Sequence, residues 1–426
     1  MAKDIVPLAN SLKEAGIELE GRRELSPGTS EYERLYVERP QLESQLVDEI
    51  ARVAARAERA ERPFHWCLTG HTGSGKSTEL YRLMADPKLG GYLSVYSNLQ
   101  TELDIQHVDY TDLFLAMARA CAAAADGLGF QVPKPLRQAI DRWGSEFFTE
   151  EEIHTRTEGE AGLKVALPFV ALGEEVRSGG GKREVIRRTI STDLIEFTRL
   201  IDQLAETLQR HTGHQVLSVL DGLDHMDVGP AYELLNDHFR TFTLPRISKI
   251  LVVPLTILNT PFFATIEDRY STVPNVKVFQ APDSRALDEA GFAFYREVIS
   301  RYAPLELFTE KALASLCELS AGIVRDMIRN TGDAAFHAAK AAASRVAMEH
   351  VKPVWSRAMR YYTNLLSGED YEVLRRVEKD PLLEQGNDGV PRLLHIKAVV
   401  FYPNDRGWYG VHPGVRRMFE EAAHSS

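Results

Sequence analysis

Eight consecutive residues in the first quarter of the chain have the spacing of a phosphate-binding loop. They match G-x-x-x-x-G-K-S and lead into Thr78: Gly70, His71, Thr72, Gly73, Ser74, Gly75, Lys76 and Ser77. The glycines allow consecutive backbone N–H groups to turn toward a phosphate, the lysine supplies positive charge, and the serine hydroxyl can ligate Mg²⁺. Because an apolar run precedes the loop and a helical pattern follows it, the sequence predicts a nucleotide-binding site here.

Two carboxylates follow a strongly apolar run far along the chain. Asp221 comes directly after residues 216–220, and Asp224 lies three residues further on. A phosphate loop needs a carboxylate at the end of a neighbouring strand to hold Mg²⁺ through water. We therefore predict that Asp221 acts with Ser77 at the metal. The alternative is an ordinary surface acid after a buried strand.

The elements that must position these residues alternate between strands and helices. Leu42, Leu46, Ile50 and Val53 predict helix within residues 32–60. Apolar runs predict strands at 64–69, 91–96, 216–220, 250–258 and 276–279. This alternation is typical of an α/β fold with a mostly parallel sheet covered on both faces.

A chain of 426 residues is long enough for two or three domains. We predict an N-terminal arm over 1–31, an α/β core over 32–285, an all-helical lid over 286–351 and a C-terminal domain over 352–426. The core carries an insertion at about 127–190, where an alternating apolar piece at 163–172 is interpreted as part of a hairpin with a flexible glycine tip at 179–181. The last domain combines helices with two short strands, at 398–402 and 408–412.

Composition excludes several classes of protein. The chain is 44% hydrophobic and 26% charged with a formal net charge of −11, which excludes a generally basic, nucleic-acid-coating surface. Cys67, Cys121 and Cys317 lack metal-ligand spacing and are expected to be buried core thiols. No signal peptide and no apolar run of about 18 residues is visible. We therefore expect a cytoplasmic protein without a membrane span.

The segment Asp221-Gly222-Leu223-Asp224 resembles the Walker B motif of STAND-type signalling ATPases, a branch of the AAA+ group near the origin-recognition initiators. The resemblance implies a P-loop NTPase core that binds ATP and Mg²⁺, followed by a helical lid and a winged-helix domain. The string Leu35-Tyr36-Val37-Glu38-Arg39, with Leu42, is similar to the box where that group seats the adenine. Val37 and Arg39 are the implied adenine contacts.

Three further positions match the family pattern more weakly. Thr260, with Asn259 before it, stands where the group places a polar sensor of the γ-phosphate. Arg325, within residues 321–326, resembles the sensor 2 arginine that reaches back to the nucleotide. Arg269 stands where such proteins present an arginine finger to the next subunit. The alternatives are a turn residue, a salt-bridging lid arginine and a solvated surface arginine, respectively.

One departure from the family concerns the catalytic glutamate. The positions that carry it in related proteins are occupied here by Gly222 and His225. Asp224 remains as the carboxylate that could orient the attacking water, from a displaced position. We therefore expect slow hydrolysis, or a switch held by bound nucleotide.

Charge helps to choose a role for the C-terminal domain. From Val351 onward there are 11 Lys and Arg residues against 10 Asp and Glu residues, whereas a DNA-binding wing normally has a clear basic excess. Trp408 and Tyr409 are expected in the core rather than as base-stacking platforms. The arginine pairs expected on a solvated face are Arg375-Arg376 and Arg416-Arg417. Packing and switching are therefore favoured over DNA recognition.

The resemblance as a whole implies an ATP-dependent molecular switch that assembles or controls a partner. The expected partners are further copies of this chain and a separate effector protein, and bacterial relatives of this shape commonly serve in anti-phage defence. One alternative is a DNA-binding AAA+ initiator or transposition-type regulator. The other is a protein that holds nucleotide structurally and never hydrolyses it.

Overall fold

The computed structural model describes residues 8–19, 24–39, 45–156, 163–281, 284–383, 388–403 and 407–425. Contacts divide the chain into two compact units. We call Val47–Thr69 with Met84–Ser271 the sheet unit, and Met1–Leu46 with Gly70–Leu83 and Thr272–Ser426 the loop unit. The phosphate loop therefore belongs to a different unit from the strand that precedes it.

The sheet unit is built on five strands. They are β1 His65–Thr69, β2 Tyr92–Asn98, β3 Gln215–Asp221, β4 Ser248–Val252 and β5 Tyr270–Thr272. Their order is β2-β3-β4-β1-β5, and β2 with β3, β3 with β4, and β4 with β1 pair in parallel. Every residue of β4 is buried, as expected for a strand covered on both faces. The predicted mostly parallel sheet is confirmed.

Helices make up most of the remaining described residues. In chain order they are α1 Leu12–Glu18, α2 Ser30–Leu35, α3 Gln45–Arg59, α4 Lys76–Ala85, α5 Leu99–Glu102, α6 Tyr110–Leu128, α7 Lys134–Ser145, α8 Glu150–Arg156, α9 Leu167–Ser178, α10 Arg183–Thr192, α11 Leu194–Thr212, α12 Val228–Phe242, α13 Phe263–Ile266, α14 Glu289–Ser300, α15 Glu310–Ser320, α16 Val324–Lys340, α17 Met348–Leu365, α18 Gly368–Lys379, α19 Val390–His395 and α20 Pro413–Ser425. None of the helices in this described part is long and apolar enough to cross a membrane.

The predicted hairpin in the insertion is wrong. Residues 127–156 and 163–190 contain helices and no strand, and α9 occupies the apolar run that suggested a strand. Residues 169–172 are all buried in succession, so the run has no alternation of exposed and buried side chains that would distinguish a strand. Gly179, with φ +69°, ends α9 as a left-handed cap.

Two predicted strands also differ from the structure. β4 ends at Val252, and the predicted remainder forms a short 3₁₀ turn, Leu255–Asn259, after Pro254. A proline N has no hydrogen to donate to a neighbouring strand. Residues 276–279 form no strand apart from a single bridge between Phe279 and Leu287, and β5 takes the last place in the sheet.

The first part of the chain is more ordered than the predicted arm. Within the loop unit, α1 packs against α16, and it buries Leu12, Ala15 and Gly16. The two helices approach so closely that a Cβ at Gly332 would lie 3.0 Å from the Leu19 Cβ. The helix predicted over 32–60 is split into α2 and α3, with Tyr36–Arg39 non-helical between them. The proline at position 40 disfavours a helical residue before it, and Leu42 lies outside the described residues.

The lid and the C-terminal region follow the predicted order of elements. Among the described residues of 286–351 the regular elements are helical, α14 to the start of α17, although α17 crosses the predicted boundary at 351. The two predicted aromatic strands are confirmed as an antiparallel hairpin of β6 Val399–Tyr402 and β7 Trp408–Val411. The winged helix itself stays a prediction.

The three cysteines lie in the cores, as expected. Cys67 and Cys121 are buried in the sheet unit and Cys317 is buried in the loop unit. Burial raises the pKa of the Cys67 and Cys121 thiols to about 12, which keeps both protonated at neutral pH. Trp408 is also buried, in a cluster with Tyr402, which confirms its predicted place in the core.

Candidate nucleotide-binding site

The phosphate loop has the backbone that its glycines permit. Gly70, Gly73 and Gly75 have φ angles of +147°, +91° and +95°. At Gly70 the space is also closed, because a Cβ there would lie 2.6 Å from the Val273 carbonyl oxygen. L-residues with side chains rarely adopt these angles, so the loop conformation depends on glycine at these places.

Lys76 opens α4 and lies folded over its own loop. Its side chain is buried, and its Nζ donates to the carbonyl oxygens of Gly70, at 2.9 Å, and His71, at 3.0 Å. The ammonium is thereby held within the curve of the loop, next to the positive end of a helix. This is the charge distribution that suits a bound phosphate.

The remaining predicted loop residues differ in their contacts. Ser74 is buried, and its Oγ has no hydrogen-bond partner among the described residues. Ser77 and Thr72 are half-buried, and Thr78 Oγ1 accepts a hydrogen bond from the Leu25 N–H at 3.4 Å. A buried hydroxyl without a partner is costly unless a ligand or water satisfies it, so Ser74 points to an occupant of the loop.

Arg39 makes its main contacts with the loop backbone. Its guanidinium is buried and donates to the Pro274 carbonyl oxygen at 2.9 Å and to the Ser74 carbonyl oxygen. Val37 is half-buried against the apolar core of the loop unit. The structure thus shows Arg39 as a support of the phosphate loop, and adenine contact by either residue stays a prediction.

Arg325 lies against the loop from the lid. Its backbone N–H donates to the Gly73 carbonyl oxygen at 3.1 Å, and a Cβ at Gly73 would lie 3.0 Å from the Arg325 Cβ. Arg325 is at the start of α16, with its side chain half-buried. The structure therefore brings the predicted sensor 2 arginine to the phosphate loop, and its contact with nucleotide stays a prediction.

His71 connects the loop to the C-terminal hairpin. Its ring is buried, and its Nε2 accepts a hydrogen bond from the Phe401 N–H at 2.8 Å. Burial, together with Lys397 and Lys76 nearby, lowers the pKa of His71 well below its ordinary value. The ring is therefore neutral at physiological pH, as an accepting Nε2 requires.

Two more contacts attach the hairpin region to the start of the lid helix. The Tyr402 hydroxyl donates to the Ala321 carbonyl oxygen at 2.8 Å, and Tyr402 stacks on Trp408 with ring centroids 4.1 Å apart. Lys397 Nζ donates to Asp326 Oδ2 at 3.0 Å. The phosphate loop, the first turn of α16 and the hairpin are thus joined by backbone and side-chain hydrogen bonds within one unit.

In the sheet unit, Asp221 is the last residue of β3 and is buried. Its Oδ2 accepts a hydrogen bond from the Tyr96 hydroxyl at 2.9 Å. Gly222 follows with φ +118°, and a Cβ there would lie 3.0 Å from the Gln100 backbone N. Asp224 is buried in the next turn, Leu223–His225. The positive backbone angle and the nearby Gln100 backbone give a physical reason for glycine at position 222.

Thr260 and Arg269 have local partners in the sheet unit. Thr260 Oγ1 donates to the Ile257 carbonyl oxygen at 2.8 Å, as in an ordinary turn. Arg269 Nε donates to Asp268 Oδ1 at 2.9 Å, and its side chain is 42% exposed. Their sensor and finger roles stay predictions. Thr256, which sequence reasoning missed, is buried after β4, and its Oγ1 has no partner among the described residues.

The C-terminal arginines are less exposed than expected. The Arg416 side chain is only 13% exposed, lies 3.6 Å from Glu378 and faces the Phe279 ring. Arg417 pairs with Glu421 at 3.2 Å and lies over the Trp355 ring. The predicted solvated face is therefore wrong for Arg416, which packs within the loop unit.

The contacts that sequence reasoning missed join residues far apart in the chain. Arg39 and Pro274, like His71 and Phe401, are separated by hundreds of residues. The position of His71 inside the loop motif is the one signal in the sequence that could have identified it, because a bulky ring at that position has to pack against another segment of the chain. Lys397 carries no motif.

No protein-family model matches this sequence, and no curated protein matches it. Among solved structures, Cdc6p from Pyrobaculum aerophilum is 12% identical over 93% of this chain and 97% of its own, with a TM-score of 0.41. The Orc1 protein of Aeropyrum pernix in complex with DNA is 15% identical over 92% and 94%, with a TM-score of 0.38. A Walker-type ATPase of Pyrococcus abyssi is 13% identical over 93% and 98%, with a TM-score of 0.43.

These structures include an Orc1 protein, in keeping with the resemblance to the origin-recognition initiators. All three TM-scores lie below 0.5 and all identities below 25%, so the likeness gives no ligand and no activity for this chain.

Proposed function

We propose that this chain is an ATP-binding, slowly hydrolysing P-loop ATPase that works as a molecular switch. The observation that carries the proposal is the set of contacts around the phosphate loop. The loop holds its own lysine, and Arg39, the Arg325 backbone and the hairpin residue Phe401 each hydrogen-bond to it. A phosphate that binds in the loop would change all three of these hydrogen bonds at once. Nucleotide binding would thereby alter the lid and the C-terminal region.

The loop unit and the sheet unit each carry a group of the kind that Mg²⁺ takes in a nucleotide complex. Ser77 is half-buried, and its hydroxyl has no hydrogen bond among the described residues, so it is free to ligate a metal. Asp221 supplies a buried carboxylate at the end of β3. Mg²⁺ takes one or two protein oxygens and fills its shell with water and phosphates, and when bound it neutralises phosphate charge.

Slow hydrolysis follows from the geometry after Asp221. Gly222 has a backbone angle that strains residues with a side chain, and a Cβ there would lie only 3.0 Å from the Gln100 backbone N, which disfavours a water-activating glutamate at this position. Asp224 is the remaining candidate, and it is held in a tight turn. We assign it the task of orienting water, which a displaced carboxylate performs less effectively.

The proposal extends to assembly. Arg269 is partly exposed beside Asp268, and we assign it the arginine-finger role toward the nucleotide of a second copy of this chain. We propose that nucleotide controls such assembly and that the assembled form acts on a separate effector protein, in the manner of anti-phage switches. The packing of Arg416 and the near-neutral charge of the C-terminal region weigh against the DNA-binding alternative.

Steady-state ATP turnover tests the proposal. We expect the wild type to turn over slowly and Lys76→Ala to lose activity by at least tenfold, because the ammonium at the phosphates is gone. Asp224→Ala should also lose activity by roughly tenfold or more. Asp227→Ala, an exposed carboxylate of the same segment, is the matched control and should keep wild-type activity. Fast turnover that Asp224→Ala leaves unchanged would contradict the role of Asp224, and turnover that survives Lys76→Ala would contradict the site.

A further inference from the structure

A cavity of about 440 Å³ lies in the loop unit, and its lining contains no residue of the phosphate loop. Its walls come from the end of α15, from α16 and α17, from the last residue of α19 with the two residues after it, and from the residue before α20. The polar side chains that matter below are Asp326, Arg329, Asn330, Arg357, Lys397 and His412. The volume is within the range of small-molecule sites. We call it the lid cavity.

The one carboxylate of the lid cavity is already occupied. Asp326 is buried, its Oδ1 accepts from Arg329 Nη2 at 2.9 Å, and its Oδ2 accepts from Lys397 Nζ at 3.0 Å. Burial opposes its ionisation, but the two cations prevail, and the pKa of the carboxyl lies below its ordinary value. Both oxygens of the Asp326 carboxylate are therefore paired with cationic side chains, and the carboxylate needs no cation from solution.

The groups left over in the cavity are hydrogen-bond donors. His412 Nδ1 accepts from the Gly414 N–H at 3.1 Å, which places the ring proton on Nε2, and that N–H has no partner among the described residues. Burial lowers the pKa of His412 to about 4, so the ring stays a neutral donor at physiological pH. Asn330 is buried as well, and in the described part of the chain its amide has no hydrogen-bond partner.

Two guanidinium groups add positive charge where the cavity meets solvent. Arg329 and Arg357 are 55% and 54% exposed, and Arg357 is paired with Asp333. A concave site with unused buried donors, a neutralised carboxylate and cationic groups on its walls recognises an acceptor with negative charge.

We propose that the lid cavity binds a small anion, a carboxylate- or phosphate-bearing metabolite, through Asn330, His412 and Arg357. Because of the position of the cavity, a bound anion can affect the phosphate loop through neighbouring residues, a consequence that rests on the function proposed above. Asp326 follows Arg325, whose N–H holds Gly73, and Lys397 lies four residues before Phe401, whose N–H holds His71. An anion that draws Arg329 or Lys397 away from Asp326 loosens both connections.

Calorimetric titration of the full chain, with excess ADP present, tests the binding step. The probes are malonate for the carboxylate source and inorganic phosphate for the phosphate source. We expect at least one of them to bind at millimolar concentration or below. Asn330→Asp and Arg357→Gln should each weaken that binding at least fivefold, because one replaces a donor with a like charge and the other removes a cation.

Two variants make the test decisive. Arg360→Gln changes the same charge on an exposed residue of the same helix outside the cavity and should bind the anion as the wild type does. Lys76→Ala should also keep anion binding, which separates this site from the phosphate loop. The proposal is overturned if neither probe binds at a concentration of about 10 mM, which is roughly tenfold above the expected dissociation constant. Equal affinities for Arg357→Gln and Arg360→Gln, or loss of binding in Lys76→Ala, would overturn it too.

Discussion

Gly222 shows how one backbone angle shapes the chemistry of a site. With φ +118° and the Gln100 backbone 3.0 Å from where a Cβ would lie, the residue after Asp221 would be strained and tightly packed if it were a glutamate. The sequence alone reveals the substitution. Its cause, a left-handed turn packed against another segment, depends on a neighbour more than a hundred residues away and is visible only in the fold.

Lys249 is a buried lysine whose effect on stability should depend on pH. It is fully buried in β4, and its Nζ donates to the carbonyl oxygens of Pro245, at 2.6 Å, and Ile247, at 3.1 Å. Burial lowers the pKa of its ammonium to about 7, with Asp202 opposing the shift. In the unfolded chain the pKa returns to about 10.4, so above pH 7 the unfolded state binds more protons at this group.

We therefore expect the free energy of unfolding of the wild type to rise with pH relative to Lys249→Met. Between about pH 7 and pH 10 the gain should approach 1.4 kcal/mol per pH unit, and below pH 7 the difference should be flat. Urea unfolding of both proteins at several pH values measures it, with the exposed Lys88→Met as control. A difference between wild type and Lys249→Met that is constant over this range would show that the lysine is charged in the fold.

At the scale of elements, the hairpin of β6 and β7 is the part most directly coupled to the phosphate loop. His71 accepts the Phe401 N–H, and without that acceptor a part-buried donor is left unsatisfied, at a cost of about 1–3 kcal/mol. In His71→Ala we expect amide exchange at Phe401 and along β6 to accelerate by roughly tenfold or more. The exposed His107→Ala is the control. Unchanged exchange in His71→Ala would mean that the hairpin is held by its other contacts alone.

The elements also show which patterns a sequence can resolve. β1, β2 and β3 were predictable because short apolar runs end at strong turn or motif signals. The hairpin predicted in the insertion, from an alternating apolar piece at 163–172, is wrong because residues 169–172 are buried in succession within α9. The proline at position 40 signals the split between α2 and α3, and the apolar spacing that predicted one helix over 32–60 lies entirely after that proline.

At the scale of the whole molecule, contiguous motifs were predictable and long-range supports were not. Lys76, Ser77 and Asp221 could be predicted as site residues, and stay predictions, because each lies in a short pattern with a chemical requirement of its own. The contacts of Arg39 with Pro274 and of Lys397 with Asp326 join distant segments that carry no pattern. The division of the chain into two units, with the phosphate loop in the loop unit, likewise arises from packing and not from any boundary in the sequence.

The central claim is that residues 70–77 bind ATP, and equilibrium binding tests it most directly. Isothermal titration of Mg-ATP into the full chain should reveal one site, and Lys76→Ala should bind at least tenfold more weakly, since roughly 1.5–3 kcal/mol is expected from a hydrogen bond to a charged group. Lys88→Ala, an exposed lysine paired with Asp48, should bind as the wild type does. Equal affinity in wild type and Lys76→Ala, or no binding by the wild type at millimolar ATP, would contradict the account.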